Sequence, residues 1–394
     1  MRNRIIAPAI GIMLLAGLVV LELQFLNDER DDADIILQND TIIVATTATV
    51  DGAENTEKTG EEGIANDADT QKDYIKWVDF TVSYEALCAA YEWDVDTHGG
   101  EHPVKWIELL AYTASKTGGN FDKNALKLIS QAAEQITAGE ITMEELTGDL
   151  KYYPYYKEAY TAVLGGLVGE FKEEYVDENG KLCSRDCYGL KGFFPLAKGF
   201  EYSHYDDFGA GRSYGYKRRH LGHDMMGQTG TPIIAVESGV VEVMGWNQYG
   251  GWRIGIRSFD KSRYYYYAHL RQNYPFAEQL EEGNVVTAGD VIGYMGHTGY
   301  STTENVNNIE VTHLHWGLEL IFDESQKESD NEIWIDIYPL TRFLAKHTQQ
   351  TMKVEGTKEW TRSTKIVDPA VEEYKKSMQE SDTEELLKLQ NQED

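Results

Sequence analysis

The chain opens on an apolar run, Ile5 to Leu21, interrupted only by Pro8 and glycines. Arg2 and Arg4 precede it; Asp28, Glu29, Asp31, Asp32 and Asp34 follow. The run is at the short end for a helix that spans a bilayer. Basic residues before it and acidic residues after it predict an N-in orientation, with the bulk of the chain outside the cytoplasm. No Ala-x-Ala cleavage pattern follows the run, and there is no nearby cysteine for lipidation. Residues 1–22 therefore predict an uncleaved, single-pass signal anchor in the cell membrane, with a cleaved signal peptide and a secreted product as the alternative. Residues 23–73 are acidic, rich in Thr, Ala, Asn and Gly, and lack Trp and Tyr. They predict a solvated linker.

From residue 74 the apolar positions recur at helical spacing. Tyr84, Leu87, Cys88 and Tyr91 form one stripe, and Trp106, Leu109, Leu110 and Thr113 another. A third run, from Asn124 through Leu126, Leu128, Ile129 and Ala133, closes at Gly139. Thr142 and Glu145 form a capping box ahead of Leu146. Residues 74–178 predict a small helical domain whose polar residues show no spacing assignable to chemistry. In particular, no pair of carboxylates stands out as a glycan-cleaving set. From residue 180 glycine becomes frequent and short β-branched runs alternate with turns. Pro232–Val236 and Val240–Met244 predict a hairpin across Glu237-Ser238-Gly239. Trp252–Arg257 and Arg263–Leu270 predict another across Asp260-Lys261-Ser262. With strands at Val291–Met295 and Thr312–Phe322, residues 180–345 predict an antiparallel β domain. Residues 346–394 predict a polar, charged tail, with a solvated helix from Glu372 to Leu389.

The 394 residues are 41% hydrophobic and 11% aromatic, enough to build cores and to exclude a wholly disordered chain. The formal charge of -30 argues against a nucleic-acid partner, which needs clustered Lys and Arg. Three cysteines exclude a disulfide-dense scaffold. Cys183 and Cys187 are candidates for a small-loop disulfide in an oxidising exterior, and Cys88 reads as a buried thiol.

The candidate chemistry sits in the β domain. His220-Leu221-Gly222-His223-Asp224 places His220 and Asp224 four apart around a glycine. Even spacing in an extended segment turns both side chains to one side. His313-Leu314-His315 repeats the device within a strand. Two histidines and a carboxylate make a common zinc set that leaves a coordination position open. His269 ends a strand at Tyr267-Ala268-His269-Leu270. By alternation Tyr265 and Tyr267 share its face, and Tyr264 and Tyr266 point the other way.

The order HLGHD, GTPIIAVESGVV, YAHL, EGNVVTAGDVIG, GHTGYST and HLHWGLEL resembles the lysostaphin/LytM-type zinc endopeptidases, whose β domain is of the duplicated-hybrid-motif kind. The resemblance covers Phe208 to Leu320, roughly a third of the chain. It implies zinc held by His220, Asp224 and His315, with His313 and His269 as non-ligand histidines. It also implies cleavage of peptide bonds in peptidoglycan. In that scheme His313 handles the proton and His269 orients water or stabilises the oxyanion, and the two roles are exchangeable.

This sequence departs from the family's pattern in four places. His223 has the opposite parity to the ligands and is expected to point away. Thr303–Thr312 is a longer loop, expected to border the groove. Trp316 stands where Phe is common, and His297 reads as a turn residue. The expected architecture is multidomain: a transmembrane anchor, a small all-α domain and a C-terminal all-β metallopeptidase domain. The expected function is an exported, membrane-anchored zinc peptidoglycan endopeptidase. The alternative is a non-catalytic or latent cell-envelope binding protein using the same domain.

Overall fold

A computed structural model describes residues 74–213, 217–327, 329 and 331–390. The expected anchor and linker, residues 1–73, lie outside these. No helix among the described residues is long and apolar enough to cross a membrane.

The helical periodicities resolve into α1 (Tyr84–Thr97), α2 (Trp106–Thr117), α3 (Lys123–Thr137), α4 (Met143–Thr147) and α5 (Tyr153–Leu164). Local chemistry sets their ends. The Ser83 hydroxyl accepts from the Ala86 N–H at the start of α1, and Asp122 caps α3 through the Asn124 and Ala125 amides. The Thr142/Glu145 capping box forms at α4. The stripes carrying Leu87, Leu109, Leu110 and Ile129 are fully buried.

The strands follow: β1 (Val168–Val176), β2 (Leu182–Leu190), β3 (Ser203–His204), β4 (Gly211–Ser213), β5 (Lys217–Arg219), β6 (His223–Met226), β7 (Pro232–Ile234), β8 (Gly239–Asn247), β9 (Gly251–Ser258), β10 (Arg263–Ala268), β11 (Val285–Val286), β12 (Val291–Tyr294), β13 (His313–Leu320) and β14 (Ile333–Trp334). The main sheet is antiparallel, in the order β11-β8-β9-β10-β13-β6-β3, with β14 also on β13. Strand β13 is thus central, flanked by β10 and β6.

The predicted hairpin between β9 and β10 forms, with Lys261 in a left-handed conformation (φ 62°) at its turn. The one predicted across Glu237-Ser238-Gly239 does not. Instead β7 pairs with β12, and β8 pairs with β9 and β11. Glu237 gives the physical reason. Its buried carboxylate accepts from Arg263 and from the Tyr265 hydroxyl, so this segment dives into the core instead of turning at the surface.

Beyond β14 come α6 (Tyr338–Leu344), β15 (Thr351–Lys353), β16 (Trp360–Arg362), β17 (Lys365–Val367) and α7 (Pro369–Gln390). The region read as a polar tail therefore carries a β15–β16 hairpin, and β17 pairs with β1. Cys183 and Cys187 lie four residues apart on β2, roughly 13 Å at the rise of an extended strand. That is beyond disulfide reach, and both are free thiols.

As a group, the first five helices pack both on α6 and on the sheet. Tyr91 and Trp106 pack their rings on Phe343 of α6, with centroids 5.3 and 5.6 Å away. The Arg263 guanidinium is buried, and its Nη1 donates to the Thr161 and Ala162 carbonyls in the last turn of α5.

Candidate metal centre

The sheet register brings the two histidine motifs together. Asp224 of β6 is directly opposite His315 of β13, and Ala268 at the end of β10 is opposite His315 on its other side. His220 enters from the loop before β6, where its own N–H donates to the Ala210 carbonyl and its carbonyl accepts from Gly209. The glycine between His220 and Asp224 is required by contact. A Cβ at Gly222 would lie 2.5 Å from Cε1 of His315.

Three donor atoms converge. His220 Nε2 is 3.0 Å from Asp224 Oδ1 and 3.1 Å from His315 Nδ1, and His315 Nδ1 is 2.9 Å from Asp224 Oδ1. Among the described residues this is the one group of three His, Cys or acidic side chains spaced to hold a metal ion. Ligands in a tetrahedron at ordinary zinc–nitrogen and zinc–oxygen lengths stand about 3.3 Å apart, so the triangle fits zinc with little adjustment. Two imidazole nitrogens facing one carboxylate oxygen also suit a cation better than the few protons available to them.

The surroundings orient the donors. His220 Nδ1 lies 3.1 Å from the Asp207 carboxylate and 3.2 Å from its carbonyl, which leaves Nε2 for the centre. Arg212 pairs with Asp207 and donates to Asp224 Oδ2 at 3.0 Å. Burial works against the charged form of Asp224, but hydrogen bonds from His220 and His315 outweigh it and hold the carboxyl well below its usual range. His220 is opposed by burial too, yet Asp224 and Asp207 raise its pKa. For His315 burial wins and the pKa falls.

The other two motif histidines face the same point. His313 Nδ1 donates to the Val311 carbonyl at 2.8 Å, and its Nε2 is 3.8 Å from Asp224 Oδ1. His269 Nδ1 donates to the Thr298 carbonyl at 2.9 Å, and its ring lies 4.8 Å from that of His313. Burial, then the neighbouring His313 and His315, push the His269 pKa well below the ordinary histidine value.

The alternation argument misplaces the tyrosines. Tyr265 and Tyr267 are fully buried in the core, whereas Tyr266 lines the site cavity with His269. The strand ends at Ala268 and His269 adopts a left-handed backbone (φ 63°), so strand parity does not carry across it.

His223 points away from the donors, as expected, and its Nε2 is 2.7 Å from Nδ1 of His204. His297 Nδ1 donates to the Ile309 carbonyl and ties down the Thr303–Thr312 loop, whose Ile309 lines the cavity.

The cavity has a volume of about 100 Å³ and is also walled by Arg212, Arg218, Tyr249 and Tyr300. None of these four, nor Asp207, was singled out as a site residue from sequence. One signal was available: Lys217-Arg218-Arg219 is a basic run in a strongly acidic chain, ending just before the His220 motif.

Residues 218–328 match the model for peptidase family M23. The L-Ala–D-Glu endopeptidase of Bacillus subtilis is 35% identical over 161 residues, 41% of this chain and 46% of that protein. Lysostaphin of Staphylococcus simulans is 36% identical over 89 residues, 22% of this chain and 17% of that protein. The crystal structure of the lysostaphin catalytic domain from Staphylococcus simulans covers 36% of this chain and 92% of its own, at 28% identity and a TM-score of 0.28. The matches span less than half the length of these two curated relatives. Residues 218–328, which hold all five motif residues, are a peptidase family M23 domain homologous to these endopeptidases.

Proposed function

We propose that this chain is an exported, membrane-anchored zinc endopeptidase that hydrolyses peptide bonds in peptidoglycan. The observation that carries the reading is the three-donor triangle of His220, Asp224 and His315, with His313 and His269 facing it, inside an M23 domain. Homology to peptidoglycan endopeptidases supports a cell-wall hydrolase. Export and anchoring rest on the charge flanks of Ile5–Leu21.

His220, Asp224 and His315 would hold the metal. Zinc bound there would polarise the scissile carbonyl and make water a stronger nucleophile at neutral pH. The chain's own groups do the rest. Because Nδ1 of His313 and Nδ1 of His269 each donate to a backbone carbonyl, each Nε2 is left as an acceptor. His313, next to Asp224, is placed to take the proton of the attacking water and to return one to the departing amine. An acceptor Nε2 on His269 suits orienting that water better than donating to an oxyanion. The burial of both rings limits competing water.

The test is to incubate the full-length chain with purified peptidoglycan, with and without a chelator, and to identify released fragments by mass spectrometry. New peptide termini that vanish with the chelator and return with added zinc are the expected result. Zinc binding with no new termini would transfer the domain to a binding role.

A further inference from the structure

The face of the sheet that carries the metal ligand His315 continues past it. On β13 Gly317 and Glu319 share that face, because Leu314, Trp316 and Leu318 between them are buried in the core. Glu319 lies four residues beyond His315, roughly 13 Å at the rise of a strand. A second cavity of about 890 Å³ opens over this stretch, and Tyr249 and Tyr266 line both it and the metal-centre cavity. Its floor is aromatic and rests on glycines. A Cβ at Gly250 would overlap the Tyr266 hydroxyl, and one at Gly255 the Tyr264 ring. One at Gly317 would meet the Trp334 indole at 2.7 Å. Trp334 and Tyr266 stand nearly perpendicular, with centroids 6.0 Å apart. Rings lying over strand glycines are a packing device in their own right. Packing does not account for the polar groups set among them. Glu319 is 2% exposed, and its Oε1 has no hydrogen-bond partner among the described residues. Arg253 Nε is buried and unpartnered in the same way, and both residues line the cavity. Such groups cost free energy unless something bonds them.

We infer that this groove is a saccharide subsite, continuous with the metal centre, in which a pyranose of the substrate packs on Trp334 and Tyr266 while Glu319 and Arg253 bond its hydroxyl or amide groups. The inference rests on the peptidoglycan reading for making the sugar part of the substrate; the sugar site itself does not need it. A pyranose has an apolar C–H face and a rim of hydroxyls that both donate and accept. The groove matches each part: ring faces below, and Asn247, Arg253 and Glu319 as planar polar groups. Burial pushes the Glu319 pKa up to about 8, so at neutral pH its carboxyl both donates and accepts. The charge of the lining points the same way. Among the described residues Arg253 and Lys327 face Glu319 and Glu332, two of each sign, in a chain of formal charge -30. A balanced wall suits an uncharged ligand better than an acidic or a basic peptide. The spacing suits a sugar-linked peptide, since about four extended residues span the distance from Glu319 to His315.

The experiment titrates the full-length, zinc-loaded chain with a tetramer of N-acetylglucosamine by isothermal calorimetry. Wild type is expected to bind it, and Glu319→Leu and Trp334→Ala to weaken Kd by about tenfold or more. Glu319→Leu replaces an unbonded buried carboxyl with an apolar group, so its fold, followed by near-ultraviolet circular dichroism, is expected to hold even if Trp334→Ala unfolds. Glu319→Gln keeps polar atoms in place and is expected to stay within about threefold of wild type. A wild type that does not bind the tetramer would overturn the proposal, as would a Kd indifferent to Glu319→Leu. The second measurement compares kcat/KM for a sugar-linked stem peptide and for the same peptide without sugar. Wild type is expected to favour the linked form by about tenfold, and Glu319→Leu to bring that ratio toward one. Equal values in wild type would overturn the link between groove and metal centre. A Glu319→Leu loss of equal size on both peptides would show that the groove holds peptide instead. Glu319-dependent sugar binding with neither peptide cut would sink the endopeptidase reading and keep the saccharide site.

Discussion

At the scale of single residues, the site divides, on the proposed reading, into groups that would hold a metal and groups that would move protons. His315→Ala removes a corner of the donor triangle and is expected to lose bound zinc and activity together. His313→Ala leaves the triangle intact, so zinc content measured by atomic absorption is expected to stay near one per chain. Hydrolysis in that variant is expected to fall by about 10²–10⁴-fold, the usual worth of a positioned acid–base group. Equal zinc loss in the two variants would refute the division. Gly222→Ala tests the packing beneath the triangle. Its methyl would meet Cε1 of His315 at 2.5 Å, so the ring must shift. Zinc affinity by competition with a chelating dye is expected to fall by roughly 10–100-fold, as when a group that orients a ligand is lost. The three candidate donors were legible in sequence because His220 and Asp224 flank a glycine four apart and His315 lies two from His313 on one strand, even though His220 itself enters from the loop before β6. Arg218, Tyr266 and Tyr300 were not singled out. Their places in the cavity wall come from a two-stranded ribbon, a neighbouring strand and a left-handed turn meeting in space.

At the scale of elements, β13 carries two of the candidate site histidines and a titrating group. Glu319 sits four residues past His315, opposite Tyr264 on one side and Trp334 on the other. Its Oε1 is buried with no hydrogen-bond partner. Burial, then repulsion from Glu332, pushes its pKa up to about 8, although Lys327 and Arg257 oppose the shift. Between its ordinary value and about 8 the folded protein therefore holds a proton that the unfolded chain has released. Stability is full at the acid end of that window and falls as pH rises through it. Glu319→Gln keeps the neutral shape and is expected to flatten the decline. The difference between pH 5 and pH 8 in urea-unfolding free energy should shrink by on the order of 1–3 kcal/mol. An unchanged pH slope would show that another group carries it. Strand elements were readable wherever pairing was local, as in the β9–β10 hairpin. They failed where a buried polar group redirected the chain. Glu237 looked like a turn residue because acidic residues usually face water, and only Arg263, 26 positions away, explains its burial.

At the scale of the whole described fold, the helices and the β domain share a buried polar joint at Arg263. Arg263 binds Glu237 in the sheet through Nε and Nη2, while its Nη1 reaches the closing carbonyls of α5. A Cβ at Gly166 would overlap the Glu237 carboxylate, so the chain leaving α5 passes directly against this pair. The apolar core is likewise continuous, from Leu87 and Leu109 through Phe343 to Leu318 and Tyr265. Neither part can then be removed without uncovering charged and apolar groups made for burial. Arg263→Met strands the Glu237 carboxylate and is expected to cost about 3–5 kcal/mol in unfolding free energy. Adding Glu237→Gln should recover much of that loss, because the remaining amide carries no buried charge. A chain starting at residue 180, without the helices, is expected to be insoluble or to lack near-ultraviolet circular dichroism. If that fragment folded and hydrolysed peptidoglycan, the joint would be dispensable and the helices a separable attachment. If it fails while the Arg263→Met/Glu237→Gln pair folds, the helices act as the second wall of the peptidase core, and their lack of any readable catalytic pattern is explained by that role.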